Sequence, residues 1–164
     1  MTLDVGSKAP DFTLANQDRQ PVTLSQLRGR PVVLAFFPAA FSSVCAKELC
    51  TFRDSLGRLS ALPGGTEVLG ISVDFNDANK AWGEKIGLKY PLLTDVRRAM
   101  SRAYGVLNDD PAMAQDSKRI PAYLRAKRSW FVVDKEGVIR YARVTDPRGL
   151  IPNDEILEVL AKLK

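Results

Sequence analysis

Short apolar blocks recur along this chain, separated by polar stretches, and their lengths suit buried strands. They are rich in β-branched and aromatic residues, which favours strands over helices. Two pairs of short runs flank polar turns and predict hairpins, one near the N-terminus and one near the C-terminus. The predicted strands are residues 12–15, 22–24, 32–37, 67–73, 130–134 and 138–143, with 90–93 short and extended.

Helix-forming stretches fall between these strands. Leu49, Phe52, Leu56 and Leu59 recur every three or four residues and give the first helix one apolar face. Asn76 or Asp77 is expected to cap the second helix. The long polar connection 108–127 is more typical of a functional flap or crossover than of an ordinary loop, and residues 121–125 within it can form a turn of helix. The predicted helices are residues 44–62, 78–86, 97–104 and 154–164.

Strands that alternate with helices, followed by a hairpin and a last helix, predict an α/β sandwich with a mixed sheet. The 164 residues are enough for one sizeable core, so we expect a single domain over residues 1–164. Hydrophobic residues make up 45% of the chain and charged residues 26%, which are ordinary values for a globular protein. The pattern alone does not select one fold within this class.

The net charge is +5, and the basic residues are dispersed except in segment 118–128. No aromatic-interleaved basic motif accompanies that cluster, so we interpret it as a solvated loop and expect no nucleic-acid partner. The longest apolar run, 32–41, is too short to cross a membrane. The first twelve residues have no signal-peptide pattern, so we expect a cytoplasmic protein with reduced cysteines and no membrane partner.

The absence of histidine narrows the possible chemistry. It excludes Cys–His pairs and Ser–His–Asp triads, and it removes the commonest zinc ligand. Cys45 falls in the first turn of the first predicted helix, where Ser42 or Ser43 can serve as the N-cap. Unpaired N–H groups and the helix dipole favour a thiolate there, so Cys45 can be a nucleophile at neutral pH. The alternative is an inert buried cysteine.

The stretch around this cysteine resembles a known family. Pro38-x-x-x-Ser42-x-x-Cys45 resembles the peroxiredoxin active-site motif, in which the hydroxyl residue is usually Thr. The surrounding FFPAAFSSVCAKEL is similar to the branch of bacterioferritin-comigratory (Q-type) and one-cysteine AhpE-type enzymes. Further landmarks occur in the expected order, and the resemblance covers nearly the whole chain. It implies a thioredoxin-like fold, with a central mixed sheet flanked by helices and an N-terminal hairpin.

The resemblance also implies roles for individual residues. Cys45 would attack the peroxide and form a sulfenic acid, with Ser42 hydrogen-bonding both the peroxide and the thiolate. Pro38 would shield the pocket from water. Arg128 would pair with the thiolate and polarise the peroxide, and Glu48 would orient this arginine or be an exposed helix acid. No metal, flavin or haem is expected.

Cys50 leaves two mechanisms open. The spacing Cys45-x-x-x-x-Cys50 matches a Q-type subgroup in which the second cysteine resolves the sulfenic acid as a disulfide. In an intact helix this spacing gives about 7.5 Å of rise and Cα atoms roughly 8–9 Å apart. A disulfide needs Cα atoms within about 7 Å, so the helix start must unwind first. In the AhpE-type alternative Cys50 is a bystander and an external thiol resolves Cys45.

The partners implied are a peroxide and a thioredoxin-like or glutaredoxin-like reductant. Members of this family are monomers in some branches and dimers in others, so both states stay open. Two other functions compete with peroxide reduction. A thiol–disulfide oxidoreductase would usually carry Cys-x-x-Cys, which this sequence lacks, and a holdase would not need Cys45 at all.

Overall fold

The computed structural model describes residues 3–60, 65–145 and 149–163, without the side chains of residues 56–60. Its centre is a seven-stranded mixed sheet in the order β2-β1-β5-β4-β3-β6-β7. The inner strands β3, β4 and β5 are parallel, and every other pairing is antiparallel. The strands are β1 (Thr13–Ala15), β2 (Pro21–Thr23), β3 (Val32–Phe36), β4 (Glu67–Ser72), β5 (Leu92–Thr94), β6 (Ser129–Val133) and β7 (Ile139–Val144).

Helices lie between the strands in the predicted order. Within the described residues they are α1 (Ser43–Ser60), α2 (Asn76–Ile86), α3 (Ala99–Ala103) and α4 (Asn153–Lys162). Short 3-10 helices occur at Leu24–Leu27, Pro111–Gln115 and Ile120–Ala122. None of the helices described here is both long enough and apolar enough to cross a membrane.

The central strands of the sheet are buried on both faces, and β3 is therefore apolar throughout. Side chains of a strand point alternately to opposite faces. Val33 and Ala35 therefore belong to a core shared with α1, α2 and α4, whereas Val32 and Leu34 belong to a second core that includes Phe12 and Tyr104. A strand covered on both faces reads as a continuous apolar run, as observed here.

The predicted α/β architecture, its mixed sheet and its N-terminal hairpin are confirmed. The predicted cap of α2 is wrong. Phe75 occupies the N-cap position without a side-chain cap bond, because Asn76 is the first helical residue and donates to the carbonyl of Asn16 at 2.8 Å. The predicted end of α1 at residues 61–64, and the side chains of Leu56 and Leu59, lie outside the described residues.

The long connection between α3 and β6 closes on itself. Residues 107 and 126 form an isolated antiparallel bridge, and Asn108 exchanges backbone hydrogen bonds with Arg125 and Leu124, of 2.9 and 2.7 Å. Between these closed ends lie the two 3-10 helices Pro111–Gln115 and Ile120–Ala122. Segment 108–125 is therefore an ordered loop whose two ends pair with each other. The chain that leaves this loop places Arg125 and Arg128 beside the sheet.

Candidate active site

The site is built where β3 passes into α1. The last strand residue is Phe36, and loop 38–42 leads to the first helical residue, Ser43. The carbonyl of Ser42 accepts the first helical hydrogen bond, from the N–H of Ala46 at 2.9 Å, so Ser42 stands at the N-cap. Cys45 is then in the first helical turn, as predicted, and its side chain is fully buried.

Arg128 reaches this thiol from the neighbouring strand. The antiparallel register pairs Phe36 with Ser129, which sets Arg128 next to the end of β3. Arg128 is buried, and its Nη2 donates to Sγ of Cys45 at 3.3 Å. The guanidinium group of Arg128 thus contacts the sulfur atom of Cys45 inside the protein, away from bulk water.

Glu48 completes a buried cluster on the next turn of α1. One carboxylate oxygen accepts from Arg128 Nη1 and the other accepts from the indole N–H of Trp130. Glu48 is 4% exposed, so the alternative interpretation of Glu48 as an exposed helix acid is wrong. Burial raises the pKa of Glu48, and the charge of Arg128 and the two donors oppose that shift. Burial alone would lower the pKa of Arg128, but the charges of Glu48 and Cys45 raise it.

Trp130 was not foreseen from the sequence as a member of this cluster. The signal that could have found it is strand alternation, since residues 128 and 130 lie on the same face of a strand. That face meets α1, where Glu48 lies one turn beyond Cys45. The indole N–H is a donor that must find an acceptor when buried, and Glu48 supplies it.

One guanidinium nitrogen of Arg128 has no partner in the described structure. The Nε–H of Arg128 is buried and has no hydrogen-bond partner among the residues that the structure describes. An unpaired buried donor usually costs about 1–3 kcal/mol, so natural proteins keep few of them. The unpaired Nε–H belongs to the same guanidinium that donates to the buried thiol.

Pro38 and Ser42 flank the cluster through the loop that precedes α1. Both are half-buried. The carbonyl of Pro38 accepts a hydrogen bond of 3.1 Å from Arg125 Nη1. The structure therefore brings Cys45, Glu48 and Arg128 into direct contact, and it places Pro38 and Ser42 at the helix entrance through their backbone.

Cys50 faces a different part of the molecule. It is half-buried, and its sulfur lies 3.8 Å from the carbonyl of Ile86, the last residue of α2. Both cysteines are free thiols in the described structure. Helix α1 is continuous between them, so the reduced protein holds Cys45 and Cys50 against different neighbours.

The fold, with a buried thiol at the start of a helix, is that of a thioredoxin-fold thiol enzyme, and comparison with known proteins agrees with this class. The AhpC/TSA family model matches residues 5–142. The alkyl hydroperoxide reductase E of Mycobacterium tuberculosis is 39% identical over 148 residues, covering 88% of each chain. The chloroplastic peroxiredoxin Q of Sedum lineare is 36% identical over 161 residues, covering 97% of this chain and 78% of that protein.

Solved structures give the same result. The peroxidoxin BcpB of Mycobacterium tuberculosis superposes with a TM-score of 0.83 at 26% identity, covering 99% of both chains. The Enterococcus faecalis AhpC superposes with a TM-score of 0.80 at 29% identity, covering 98% of this chain and 91% of that one. The chain belongs to the AhpC/TSA family and is a peroxiredoxin, a thiol-dependent peroxidase.

Proposed function

We propose that this enzyme reduces hydrogen peroxide and organic hydroperoxides through Cys45, with Cys50 as the resolving cysteine and a thioredoxin-like dithiol as reductant. The observation that carries the proposal is the buried contact between Arg128 Nη2 and Cys45 Sγ. A cation held against a thiol in a water-poor site favours the thiolate, which is the attacking form.

In the first step the Cys45 thiolate attacks one oxygen of the peroxide. A sulfur–oxygen bond forms and the O–O bond breaks, so sulfur is oxidised to a sulfenic acid. The departing oxygen takes a proton from solvent and leaves as water or an alcohol. Negative charge moves from sulfur to that oxygen, and the free Nε–H of Arg128 is a donor that could meet it.

The neighbours of Cys45 take supporting roles in this proposal. Ser42 stands at the N-cap, from which its hydroxyl would hydrogen-bond the peroxide and the thiolate. Its missing methyl relative to Thr leaves the hydroxyl rotamer less fixed, so activity is retained with a looser site. Pro38 would shield the pocket from water. Glu48 would hold the Arg128 fork in the orientation that meets sulfur.

In the second step the Cys50 thiol condenses with the sulfenic acid, which forms a disulfide and releases water. The start of α1 must unwind for this, because five residues of intact helix keep the Cα atoms roughly 8–9 Å apart. In the third step a thioredoxin-like or glutaredoxin-like dithiol reduces the disulfide and becomes a disulfide itself. In the one-cysteine alternative, an external thiol attacks the sulfenic acid directly.

We further propose a cytoplasmic setting, in which such dithiols keep both cysteines reduced. The enzyme would work there as a monomer or homodimer, without nucleic acid. Two functions compete with this proposal, a thiol–disulfide oxidoreductase and a holdase. A holdase predicts no reaction with peroxide and no effect of Cys45→Ser, whereas a thiol–disulfide oxidoreductase would usually carry Cys-x-x-Cys, which this sequence lacks.

The deciding experiment is the intact mass of the reduced protein after one equivalent of hydrogen peroxide, under denaturing, thiol-blocked conditions. Loss of two hydrogens in a monomer supports the Cys45–Cys50 disulfide. Gain of oxygen supports the one-cysteine mechanism, with Cys50 a bystander. An unchanged mass contradicts peroxide reduction by this chain.

Replacing Cys45 tests the nucleophile directly. Cys45→Ser should abolish peroxide consumption, because a serine hydroxyl is not ionised at neutral pH and cannot replace the thiolate. The measurement is peroxide loss with a dithiol reductant in excess. Cys50→Ser is the matched control, since it should keep the first oxidation of Cys45 and lose only the disulfide. Turnover that persisted in Cys45→Ser would show that the nucleophile assignment is wrong.

A further inference from the structure

Asp74 and Arg125 lie outside the Cys45 cluster, yet both contact the loop that leads into it. We infer that they are positioning residues, which hold loop 38–42 in the shape needed for peroxide attack and restrain the unwinding of α1. This inference rests on the proposed role of Cys45. Neither residue contacts the sulfur atom, so their effect would pass through the loop.

Asp74 follows the end of β4 and binds the loop through its carboxylate. Oδ2 accepts from the backbone N–H of Ala40 at 2.8 Å. Its own backbone is fixed as well, because the carbonyl of Asp74 accepts from the hydroxyl of Thr94 and its N–H donates to the hydroxyl of Ser72 at 3.2 Å. The side chain is 12% exposed, so this contact is largely sheltered from water. The loop is thereby tied to the parallel core of the sheet.

Arg125 binds both the carboxylate of Asp74 and the loop. Its Nη1 donates to Asp74 Oδ1 at 2.9 Å and to the carbonyl of Pro38 at 3.1 Å. One nitrogen therefore links the returning end of segment 108–125 to both β4 and the loop. We call Asp74 and Arg125, with their bonds to Pro38 and Ala40, the loop clasp.

The loop that the clasp holds is under local strain. Phe41 has a φ of 64°, in the left-handed region that non-glycine residues rarely adopt, and its side chain is 58% exposed. Such conformations persist where the surrounding structure determines them, and they cluster at functional sites. Phe41 lies between Ala40, whose N–H is bound by the clasp, and Ser42, which is the N-cap residue of α1. Within the described residues, the side-chain hydrogen bonds to loop 38–42 are those of the clasp, and Ala40 also packs against the core.

Two opposite kinetic effects follow from this geometry. Attack on the peroxide needs an ordered loop and helix start, so releasing the clasp should slow the oxidation of Cys45. Formation of the disulfide needs the same helix start to unwind, so releasing the clasp should speed the condensation of Cys50 with the sulfenic acid. A residue with a merely structural role would not divide the two rates in this way.

The test uses Arg125→Met and Asp74→Asn in the full-length protein. Each should slow Cys45 oxidation by at least about tenfold, because each removes at least one charge-assisted hydrogen bond of the clasp, and Arg125→Met removes two. The appearance of the disulfide after oxidation should become faster by a similar factor. Both rates come from rapid quenching with thiol blocking and intact mass, after one equivalent of hydrogen peroxide.

Two further variants sharpen the comparison. Arg125→Lys should restore most of the wild-type behaviour, because a single nitrogen of Arg125 serves both acceptors and an ammonium group can replace it. Arg119→Met is the matched control. It removes an exposed arginine from the same segment, paired with Asp110 at 3.2 Å, and it should leave both rates unchanged.

The inference is overturned if Arg125→Met and Asp74→Asn oxidise Cys45 at the wild-type rate, or if both rates fall together with the unfolding free energy. It is also overturned if Arg125→Lys behaves as Arg125→Met does. Failure of the proposed function would look different, because the wild-type protein itself would then leave Cys45 unoxidised. If the wild type forms a sulfenic acid without a disulfide, the first rate alone decides the inference.

Discussion

Arg128 is the residue on which the buried cluster depends, because it divides its donors between a thiol and a carboxylate. Bringing a guanidinium and a carboxylate out of water is costly, and their attraction offsets this only with good hydrogen-bond geometry. Here Glu48 accepts from two donors, and the Nε–H of Arg128 has no partner among the described residues. This arrangement supports the proposal that the cluster serves chemistry at sulfur more than stability.

Replacing Arg128 should separate these two roles. Arg128→Met leaves the Glu48 carboxylate buried without its cation, which should lower the unfolding free energy by about 3–5 kcal/mol. The oxidation of Cys45 should slow by about 10²–10³-fold, as when one transition-state donor is removed. Urea unfolding measures the first effect and stopped-flow peroxide consumption the second.

The double variant Arg128→Met with Glu48→Gln is the control for this prediction. A neutral amide no longer needs the cation, so much of the lost stability should return while the oxidation rate stays low. Recovery of the rate together with the stability would mean that Arg128 acts only through the fold.

For individual residues, the sequence predicted the contact between Cys45 and Arg128, but it did not predict the residues that hold this site in place. The family motif brought Arg128 to Cys45 across 83 positions, and the structure shows that contact. Trp130 and the clasp pair, Asp74 and Arg125, were missed because their partners are set by the register of neighbouring strands and by the return of a long segment. Such contacts leave no local pattern in the chain.

Among the elements, the hairpin β6–β7 fixes Arg128 and Trp130, and its turn is organised by one carboxylate. Oδ1 of Asp134 accepts from the backbone N–H groups of Glu136 and Val138, both at 2.9 Å. Oδ2 accepts from Arg140 Nε at 2.6 Å. Burial alone would raise the pKa of Asp134, but the hydrogen bonds from Val138 and Arg140 bring it below its ordinary value.

This turn should give the protein an acid-sensitive contribution to stability. The folded-state pKa of Asp134 is depressed, so its contribution is present above the ordinary value of 3.8 and is lost as the pH falls through the folded-state pKa. Asp134→Asn should lower the unfolding free energy at pH 7 by about 1–3 kcal/mol, and the difference should vanish in strong acid. Urea unfolding from neutral to acid pH measures it.

Asp77→Asn is the control for the turn. Its ion pair with Arg19 is exposed, with two-thirds of each side chain in water, so its removal should change stability by less than about 1 kcal/mol at any pH. A constant difference between Asp134→Asn and wild type across the whole pH range would contradict the proposed ionic origin.

Hairpins and long helices were predictable from the sequence because their signals are local. The polar turn Lys135-Glu136-Gly137 predicts the hairpin of β6 and β7. Gly137 has the positive φ of 84° that the turn requires. Helix α3 is shorter than the predicted 97–104, since Arg98 adopts a left-handed conformation and stands before the helix. The prediction of the α2 cap was wrong because the side chain of Asn76 donates to the carbonyl of Asn16 in another segment.

For the molecule as a whole, two cores share one sheet, and a glycine in β4 permits close packing in the core shared with α1, α2 and α4. A Cβ at Gly70 would come within 2.6 Å of Leu92 Cδ2 and 3.4 Å of Phe37 Cε1. Leu92 is itself fully buried, so it has little room to move. The pattern of apolar runs predicted a mixed sheet, whereas the thioredoxin-like fold came from the family resemblance, because many folds share this order of elements.

Gly70→Ala should therefore destabilise the whole molecule. Filling a close contact in a packed core costs about 1–3 kcal/mol, so the urea midpoint should fall without a change in the slope of the transition. Gly83→Ala is the matched control, because its Cβ would meet the same Leu92 at 3.2 Å while α2 gains helix propensity. Equal losses in the two variants would contradict this account of the core.

The bond between Trp130 and Glu48 also gives the protein an intrinsic optical reporter. The Trp130 ring lies 4.2 Å from that of Phe52 and its N–H is bound to the start of α1, whereas Trp82 packs on Phe37. Unwinding of the helix start would release the indole and change its emission. In Trp82→Phe the fluorescence of the remaining tryptophan should follow the redox cycle in real time, and in Trp130→Phe that signal should be lost.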